Sequence, residues 1–458
     1  MTRVTFQGGR AGDAPLTWGQ RAIWNAIMRT VPGDHFFNFG RILRLRTPVP
    51  VERARRAVAD LVARHESLRT VFPVSDGEPR QRISAAGELD VLELADSENP
   101  EAVRDRLEAD TFDYPAEWPV RVALLVGDGL VSTVIVVFCH LAADGNGADV
   151  VVRDLRLLLL RGVLHTPPGR QPYDLAGHQL SPAGRRAGRA ALSHWTTGLR
   201  RVPPTMFAER RAAPREQPYW CALLTSRAAD HAARLLATRH GASSSTVLMT
   251  AAAALVGAVT GQRVCAMMPI VNNRFAAADR DMVTTLAQDG LFVLDLEAAT
   301  FGELLRPGWQ AALSAFRHAS YDQVALDAAV AGIGVERGEP VHPYCCFNDV
   351  RFADLAGFSG PPPGEDLVRA AMAETTVVWS KRLDQLACRF CLHVEGEPGR
   401  LGVSLTGDTA YLPPELIERF LWALERLLVE AAFRDVPMAE LPALLSHAVA
   451  RDGRAVRT

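Results

Sequence analysis

The sequence predicts an α/β fold with two domains, and three observations lead to this prediction. The chain has 458 residues, which exceeds the size of one ordinary hydrophobic core. Segments with strand and helix patterns alternate through the first part of the chain, and the same mixture returns in the second part. Between them, residues 162–182 contain four prolines, a composition typical of a linker. We therefore predict one domain at residues 1–170 and another at residues 171–458.

Apolar periodicity and turn residues predict the elements of each domain. In the first domain, strands are predicted at 42–45, 70–72, 120–125 and 131–138, and helices at 51–65, 100–109 and 148–160. In the second domain, helices are predicted at 228–240, 245–260 and 414–432, and strands at 264–271, 291–296, 377–379, 388–394 and 401–405. Gly127-Asp128-Gly129 predicts a hairpin turn between two of the strands.

Composition and charge argue against several classes of partner. Charged residues make up 22% of the chain and the net charge is −2, so no overall basic field attracts nucleic acid or an anionic membrane. Residues 1–13 lack the apolar core of a signal peptide, and no run of apolar residues is long enough to span a bilayer. We therefore expect a cytoplasmic, monomeric protein that binds neither nucleic acid nor membranes.

The cysteines and histidines give no sign of a metal site. The seven cysteines are odd in number and scattered, unlike a disulfide framework. Cys388 and Cys391 form a C-x-x-C inside a predicted strand, where a spacing of three places them on opposite faces. We interpret them as buried structural thiols and not as zinc or redox residues. The twelve histidines contain no H-x-x-x-H or H-E-x-x-H pattern, so no metal is expected.

The best candidate for chemistry is the loop that follows the predicted strand 131–138. His140 lies at the C-terminal end of this strand, where α/β proteins place reactive groups. Asp144 and Gly145 then open a helix, whose N-terminal N–H groups favour negative charge. Histidine can move a proton near neutral pH, and Asp144 can cap the helix or pair with a buried cation. On these residues alone, a structural histidine and a simple turn are the commoner interpretation.

Several motifs resemble those of the condensation-domain superfamily of acyltransferases. Residues 139–145, C-H-L-A-A-D-G, resemble the signature H-H-x-x-x-D-G, with Cys139 in place of the first histidine. Residues 64–72, R-H-E-S-L-R-T-V-F, match R-H-E-x-L-R-T-x-F at each fixed position. Residues 16–24, L-T-W-G-Q-R-A-I-W, resemble S-x-A-Q-x-R-L-W. Weaker similarities occur at 173–174, Trp195, 270–274 and 318–321, and the order agrees from about residue 15 to about residue 435.

This resemblance implies a fold, a reaction and roles for site residues. The fold is two chloramphenicol-acetyltransferase-like lobes in a V arrangement, and the donor is a thioester on the phosphopantetheine arm of a carrier protein, or on CoA. The acceptor is an amine or an alcohol, and no cofactor stays bound. By this resemblance His140 is catalytic, as proton acceptor or as positioning group, and Gly145 leaves room for the thioester. Asp144 is structural and pairs across the two lobes with Arg274 of the second lobe, while Cys139 is a packing residue or, alternatively, an acyl-accepting nucleophile.

The motifs that are missing refine this expectation. The chain shows no carrier-protein serine motif and no glycine-rich adenylation motif, so we expect a free-standing condensation enzyme in specialised-metabolite or antibiotic biosynthesis, acting on a carrier protein. Two alternatives stay open: an acyl-CoA-dependent O-acyltransferase, and a non-catalytic domain that recruits a partner protein. Residues 184–215 hold eight arginines, which form either a solvated helix face or a docking patch for an acidic carrier.

Overall fold

The computed structural model describes residues 1–351, 358, 360–397 and 399–446. It confirms the α/β class, and the chain divides into two compact units. Unit 1 comprises Met1–Arg189, Asn272–Gln288 and Ser320–Ala325, and unit 2 comprises Ala190–Val271, Asp289–Ala319 and Leu326–Thr458. These units differ from the predicted domains 1–170 and 171–458. Residues 171–189 pack with unit 1, and so do the later segments 272–288 and 320–325. A single boundary in the sequence cannot describe a chain that returns to its first unit twice.

Unit 1 contains a five-stranded sheet with the strand order β1-β7-β8-β9-β3 and a smaller sheet formed by β2, β6, β4 and β5. Its strands are β1 Thr2–Gln7, β2 Gly12–Pro15, β3 Phe39–Pro50, β4 Thr70–Val71, β5 Val74–Ser75, β6 Glu78–Ile83, β7 Ala86–Ala95, β8 Val120–Gly127 and β9 Leu130–Phe138. Its helices are α1 Trp18–Met28, α2 Val51–Arg64, α3 Pro100–Glu108, α4 Gly145–Arg161 and α5 Pro172–Leu180. The predicted turn between β8 and β9 is present, with Asp128 and Gly129 at positive φ.

Strand β9 is apolar along most of its length because both faces of the sheet are covered. Val134 and Val136 pack in a core with α2 and α4. Ile135 and Val137 pack on the opposite face with Val103 of α3. A strand that is buried on both faces has a nearly continuous run of apolar residues, so the sequence predicted its position closely. The chain leaves this buried strand at Phe138, two residues before His140.

Unit 2 is built on an eight-stranded sheet with the order β12-β11-β14-β16-β17-β10-β15, with β13 paired to β11. The strands are β10 Tyr219–Ser226, β11 Val264–Val271, β12 Gln288–Asp289, β13 Phe292–Asp295, β14 Cys345–Asp349, β15 Thr376–Leu383, β16 Phe390–Glu397 and β17 Arg400–Asp408. The helices from residue 182 onward are α6 Pro182–Arg201, α7 Arg227–His240, α8 Ser244–Thr260, α9 Phe301–Arg317, α10 Gln323–Arg337, α11 Glu365–Ala371, α12 Pro414–Phe433 and α13 Leu441–Ser446.

Among the described residues, no single helix is long and apolar enough to cross a membrane. Helices α7 and α8 pass that test only as a pair, and they are bent by 104° at the break between them. The apolar character of α8 has another explanation, since most of its residues are buried inside unit 2.

Two sequence-based interpretations need correction. The proline-rich stretch 162–182 is not a continuous linker, because Pro172 occupies the first turn of α5, where its missing N–H costs nothing. The interpretation of Cys388 as a thiol in a strand is also wrong. β16 begins after it, at Phe390, and Cys388 is joined to Cys346 as a disulfide with a Cα–Cα distance of 6.4 Å. Cys391 is a buried free thiol, as expected.

Candidate active site

His140 lies in the short loop between β9 and α4. Its side chain is partly buried, and the Phe39 ring lies beside it with a centroid distance of 5.3 Å. Burial lowers the pKa of His140, an effect that its own backbone carbonyl and the nearby charge of Asp144 oppose only in part. The imidazole is therefore neutral near pH 7, and a neutral imidazole can accept a proton.

The imidazole is anchored by Thr285, a residue that no sequence motif indicated. The Nδ1 atom of His140 lies 3.2 Å from the Thr285 Oγ1 atom. The same hydroxyl donates a hydrogen bond to the backbone carbonyl of His140. Thr285 belongs to the segment Asn272–Gln288 and is 1% exposed, so the contact is shielded from water.

The carboxylate of Asp144 joins the start of α4 to this same segment. Its Oδ1 accepts a hydrogen bond from the Gly147 N–H at 2.8 Å, which caps the helix. Its Oδ2 accepts hydrogen bonds from Arg274 Nη1 at 2.7 Å, the Leu286 N–H at 3.0 Å and the Ala287 N–H at 3.1 Å. The sequence left open whether Asp144 caps the helix or pairs with a cation, and in the structure it does both.

Arg274 is the buried cation of this pair. The Arg274 and Asp144 side chains are only 5% and 4% exposed. The guanidinium also donates to the backbone carbonyls of Asn272 at 3.2 Å, Met282 at 3.1 Å and Thr284 at 3.1 Å. The pair was predicted to join two lobes, but both partners lie within unit 1, because segment 272–288 packs with that unit. The pair therefore fixes this segment against the His140 loop.

Gly145 is the first residue of α4 and is exposed. A Cβ atom there would meet only Arg41 Nη2, at an ordinary contact distance of 3.7 Å, so the protein itself does not require glycine. The first N–H groups of a helix have no partner within it. Since Asp144 takes the N–H of Gly147, those of Gly145 and Asn146 are the candidate donors to an oxyanion.

Arg41 is a second residue that the sequence did not reveal. It projects from β3, forms an ion pair with Asp149 of α4 at 3.0 Å, and lies over the Phe39 ring at 5.5 Å. No motif includes Arg41, and its place beside the helix start follows from the pairing of β3 with β9.

Cys139 is separated from the polar side of the loop. It is 1% exposed and packs in an apolar cluster with Leu16, Trp24 and Phe72. Burial raises the pKa of the Cys139 thiol to about 12, so it is protonated at neutral pH. This environment favours a packing role over a nucleophilic one.

Comparison with known proteins identifies the family of this chain. The family model named Condensation domain matches residues 10–331 of the sequence. The chain belongs to the condensation domain family. It is 29% identical over 378 residues to CymA of Salinispora arenicola, which is named as a probable non-canonical nonribosomal peptide synthetase, and the match covers 75% of this chain and 5% of CymA. The chain spans between 4% and 29% of the length of such curated relatives.

Several solved structures share the fold. SgcC5 from Streptomyces globisporus has a TM-score of 0.67 and 21% identity, covering 92% of this chain and 100% of SgcC5. The X-domain in complex with OxyB, from teicoplanin biosynthesis, has a TM-score of 0.70 and 19% identity, covering 96% of this chain and 98% of the matched chain. At these identities the similarity establishes the chloramphenicol-acetyltransferase-like fold alone.

The condensation-domain motif at 64–72 lies in structural contacts. Arg64 Nε and His65 Nε2 lie 2.9 and 3.1 Å from Asp154 Oδ2 in α4. Burial alone would raise the pKa of Asp154, but the hydrogen bonds from His65 and a neighbouring arginine hold it at about 2. Glu66 pairs with Arg10 at 2.6 Å. These contacts give each charged group a partner, as burial requires.

The condensation-domain motif at 16–24 contacts the His140 loop through the side chain of Gln20. The Gln20 N–H donates to Thr17 Oγ1 at 3.2 Å and the Thr17 N–H donates to Gln20 Oε1 at 2.9 Å, a capping box that begins α1. The Gln20 amide also donates to the Leu141 carbonyl at 3.5 Å. This part of the family pattern therefore positions the residue that follows His140.

Proposed function

We propose that this condensation domain transfers an acyl or aminoacyl group from a carrier-protein thioester to an amine or an alcohol, forming an amide or an ester. The observation that carries this proposal is a neutral, anchored His140 beside the start of α4. A proton acceptor and a helix N-terminus together suit the addition of a nucleophile to a carbonyl group. Membership in a family whose relatives are nonribosomal peptide synthetases supports the same reaction.

The reaction follows from the residue types. The acceptor nitrogen or oxygen attacks the thioester carbonyl carbon, and its proton passes to the imidazole of His140. The oxyanion of the tetrahedral intermediate accepts hydrogen bonds from the N–H groups of Gly145 and Asn146. The C–S bond then breaks, and the leaving thiolate of the phosphopantetheine arm takes up the proton from His140. Because a thioester is already activated, much of the rate enhancement comes from holding donor and acceptor together.

Asp144, Arg274 and Cys139 have supporting roles in this scheme. The first two hold the loop geometry, and the third fills an apolar pocket away from the reacting atoms. The donor handle is the phosphopantetheine arm, and no tightly bound cofactor takes part.

The test is the rate of product formation with a loaded carrier protein supplied as a separate molecule. His140→Ala is expected to reduce turnover by about 100-fold to 10,000-fold, the usual contribution of general acid–base catalysis. His178→Ala is the matched control, since His178 is exposed on α5. Wild-type turnover in purified, folded His140→Ala would overturn the proposal. An equal rate with acyl-CoA in place of the carrier would instead favour a CoA-dependent O-acyltransferase.

A second candidate function is the recruitment of a partner protein without catalysis. The observation that favours it is the similarity to the X-domain, which was solved in complex with OxyB. The two functions are distinguished by the same assay. A recruiting domain would give no product with any loaded carrier or acceptor, and His140→Ala would leave binding of the partner unchanged.

A further inference from the structure

We propose that Thr285 is a positioning residue for His140, fixing the neutral imidazole with its proton on Nδ1 so that Nε2 is the proton acceptor. This inference rests on the proposed acyl transfer and deepens it, since the sequence left open how His140 acts. It concerns a residue outside the motif of residues 139–145, contributed by the returning segment 272–288.

The tautomer follows from the hydrogen-bonding capacity of a hydroxyl group. The Thr285 hydroxyl carries one hydrogen, and its contact with the His140 carbonyl oxygen requires that hydrogen, because a carbonyl cannot donate. The oxygen of the hydroxyl can then only accept in its contact with His140 Nδ1 at 3.2 Å. Nδ1 must therefore carry the proton, which leaves the lone pair of the neutral ring on Nε2.

Thr285 is held in place on both sides. The next two residues, Leu286 and Ala287, donate their backbone N–H groups to Asp144 at 3.0 and 3.1 Å. On the other side, Gly19 of α1 lies so close that a Cβ atom there would be 2.3 Å from the Thr285 carbonyl oxygen. No real Cβ tolerates that distance from a backbone atom, so the position of Thr285 requires glycine at residue 19. The corresponding position of the family motif S-x-A-Q-x-R-L-W carries alanine, a methyl group that this arrangement excludes.

The loss of the Thr285 hydroxyl has two consequences for the reaction. Without that partner, the Nδ1–H group has only the carbonyl of its own residue as an acceptor, so the ring also populates the tautomer with its proton on Nε2, which cannot accept a proton from the substrate. The bond from Nδ1–H also stabilises the imidazolium more than the neutral ring, so its removal lowers the pKa of His140 further. The carboxylate of Asp144, paired with Arg274, still acts on the ring in the opposite direction.

The test compares Thr285→Val with Thr285→Ser in the carrier-dependent assay. Thr285→Val keeps the shape and removes the hydroxyl, and it is expected to lower kcat about tenfold to 100-fold, the range known for losing a partner that orients a metal-ligating histidine. KM should change little, and the acidic limb of the pH–rate profile should move to lower pH. Thr285→Ser should restore most of kcat. Thr250→Val is the matched control, because its buried hydroxyl has no hydrogen-bond partner among the described residues.

A spectroscopic measurement separates positioning from a merely structural role. In protein labelled with ¹⁵N-histidine, the His140 resonances, assigned by their loss in His140→Ala, should show protonated Nδ1 in the wild type and mixed tautomers in Thr285→Val. Equal kcat and an unchanged pH profile in Thr285→Val, or protonated Nε2 in the wild type, would overturn the inference. An inactive wild type would refute the proposed function instead, while the tautomer measurement would still decide the role of Thr285.

Discussion

Removal of the Asp144 carboxylate should destabilise the protein as well as inactivate it. In Asp144→Ala, the guanidinium of Arg274 loses its counter-charge while 95% of its side-chain surface stays covered, since the side chain is 5% exposed. Helix α4 loses its cap to Gly147, and the N–H groups of Leu286 and Ala287 lose their acceptor. Each loss falls on the contacts that hold segment 272–288 against the His140 loop.

The expected magnitude follows from these contacts. Leaving one member of a buried ion pair without its partner costs about 3 to 5 kcal/mol. Loss of the N-cap adds about 1 kcal/mol, so Asp144→Ala should lower the free energy of unfolding by about 4 to 6 kcal/mol. For a unit of about 200 residues, each kcal/mol lowers Tm by about 2 to 4 °C, which predicts a decrease of about 8 to 24 °C.

Urea unfolding monitored by tryptophan fluorescence measures this change. Asp144→Asn retains one oxygen for the N–H donors and removes the charge, so it should fall between the wild type and Asp144→Ala. Arg274→Met removes the cation, and the double variant should be less destabilised than the sum of the two single variants, because it leaves no unpaired charge. Destabilisation below about 1 kcal/mol in Asp144→Ala, or strict additivity in the cycle, would refute the reasoning.

Three further predictions follow from groups around the site. Cys139→Ser should cost about 1 to 3 kcal/mol by burying a hydroxyl in an apolar cluster, and folded protein should retain turnover; an acyl adduct on Cys139 in quenched reactions would contradict this. Burial lowers the pKa of His65, and hydrogen bonds hold the pKa of Asp154 at about 2. Because the unfolded chain binds these protons more readily than the folded protein does, stability in urea should fall as pH drops below about 6.5 and again from about pH 4 to pH 2. A stability that does not change with pH above pH 4 would be the contrary result. Arg186→Glu with Arg189→Glu, exposed on α6, should raise KM for the carrier and leave kcat unchanged if this face docks the carrier; an unchanged KM would leave the arginines as a solvated face.

Local sequence patterns predicted the part of the site that lies in the loop between β9 and α4. The apolar run of β9 placed His140 at the end of a buried strand, because a strand covered on both faces is apolar along most of its length. Capping rules offered Asp144 as one possible cap of a helix predicted at 148–160, whereas α4 begins earlier, at Gly145, with Asp144 as its N-cap. The partner of Asp144 came from the resemblance to the family, since nothing near Arg274 in the sequence indicates a contact 130 residues away.

Residues without a local pattern were missed. Thr285 contacts His140 across 145 residues, and a threonine in an ordinary apolar segment gives no signal of that contact. The pair Cys346 and Cys388 was missed for a similar reason, because counting cysteines says nothing about which of them meet across 42 residues. Cys345, the immediate neighbour of Cys346, is fully buried in strand β14 and forms no disulfide in the described structure, which shows that strand alternation decides between them.

Two departures from the family pattern near the site, at Cys139 and Gly19, have different physical consequences. Cys139 replaces a histidine at a position that faces an apolar cluster, where its neighbours offer packing and a thiol fits without a polar partner. Gly19 replaces an alanine at a position that touches the backbone of Thr285, where one methyl group would displace the residue that holds His140. The change at Cys139 alters the side chain that packs in the apolar cluster. The change at Gly19 lets Thr285 approach His140. Restoring alanine at residue 19 should therefore reduce kcat in the way that Thr285→Val does, and combining Gly19→Ala with Thr285→Val should add little to either, since both remove the same contact with the imidazole.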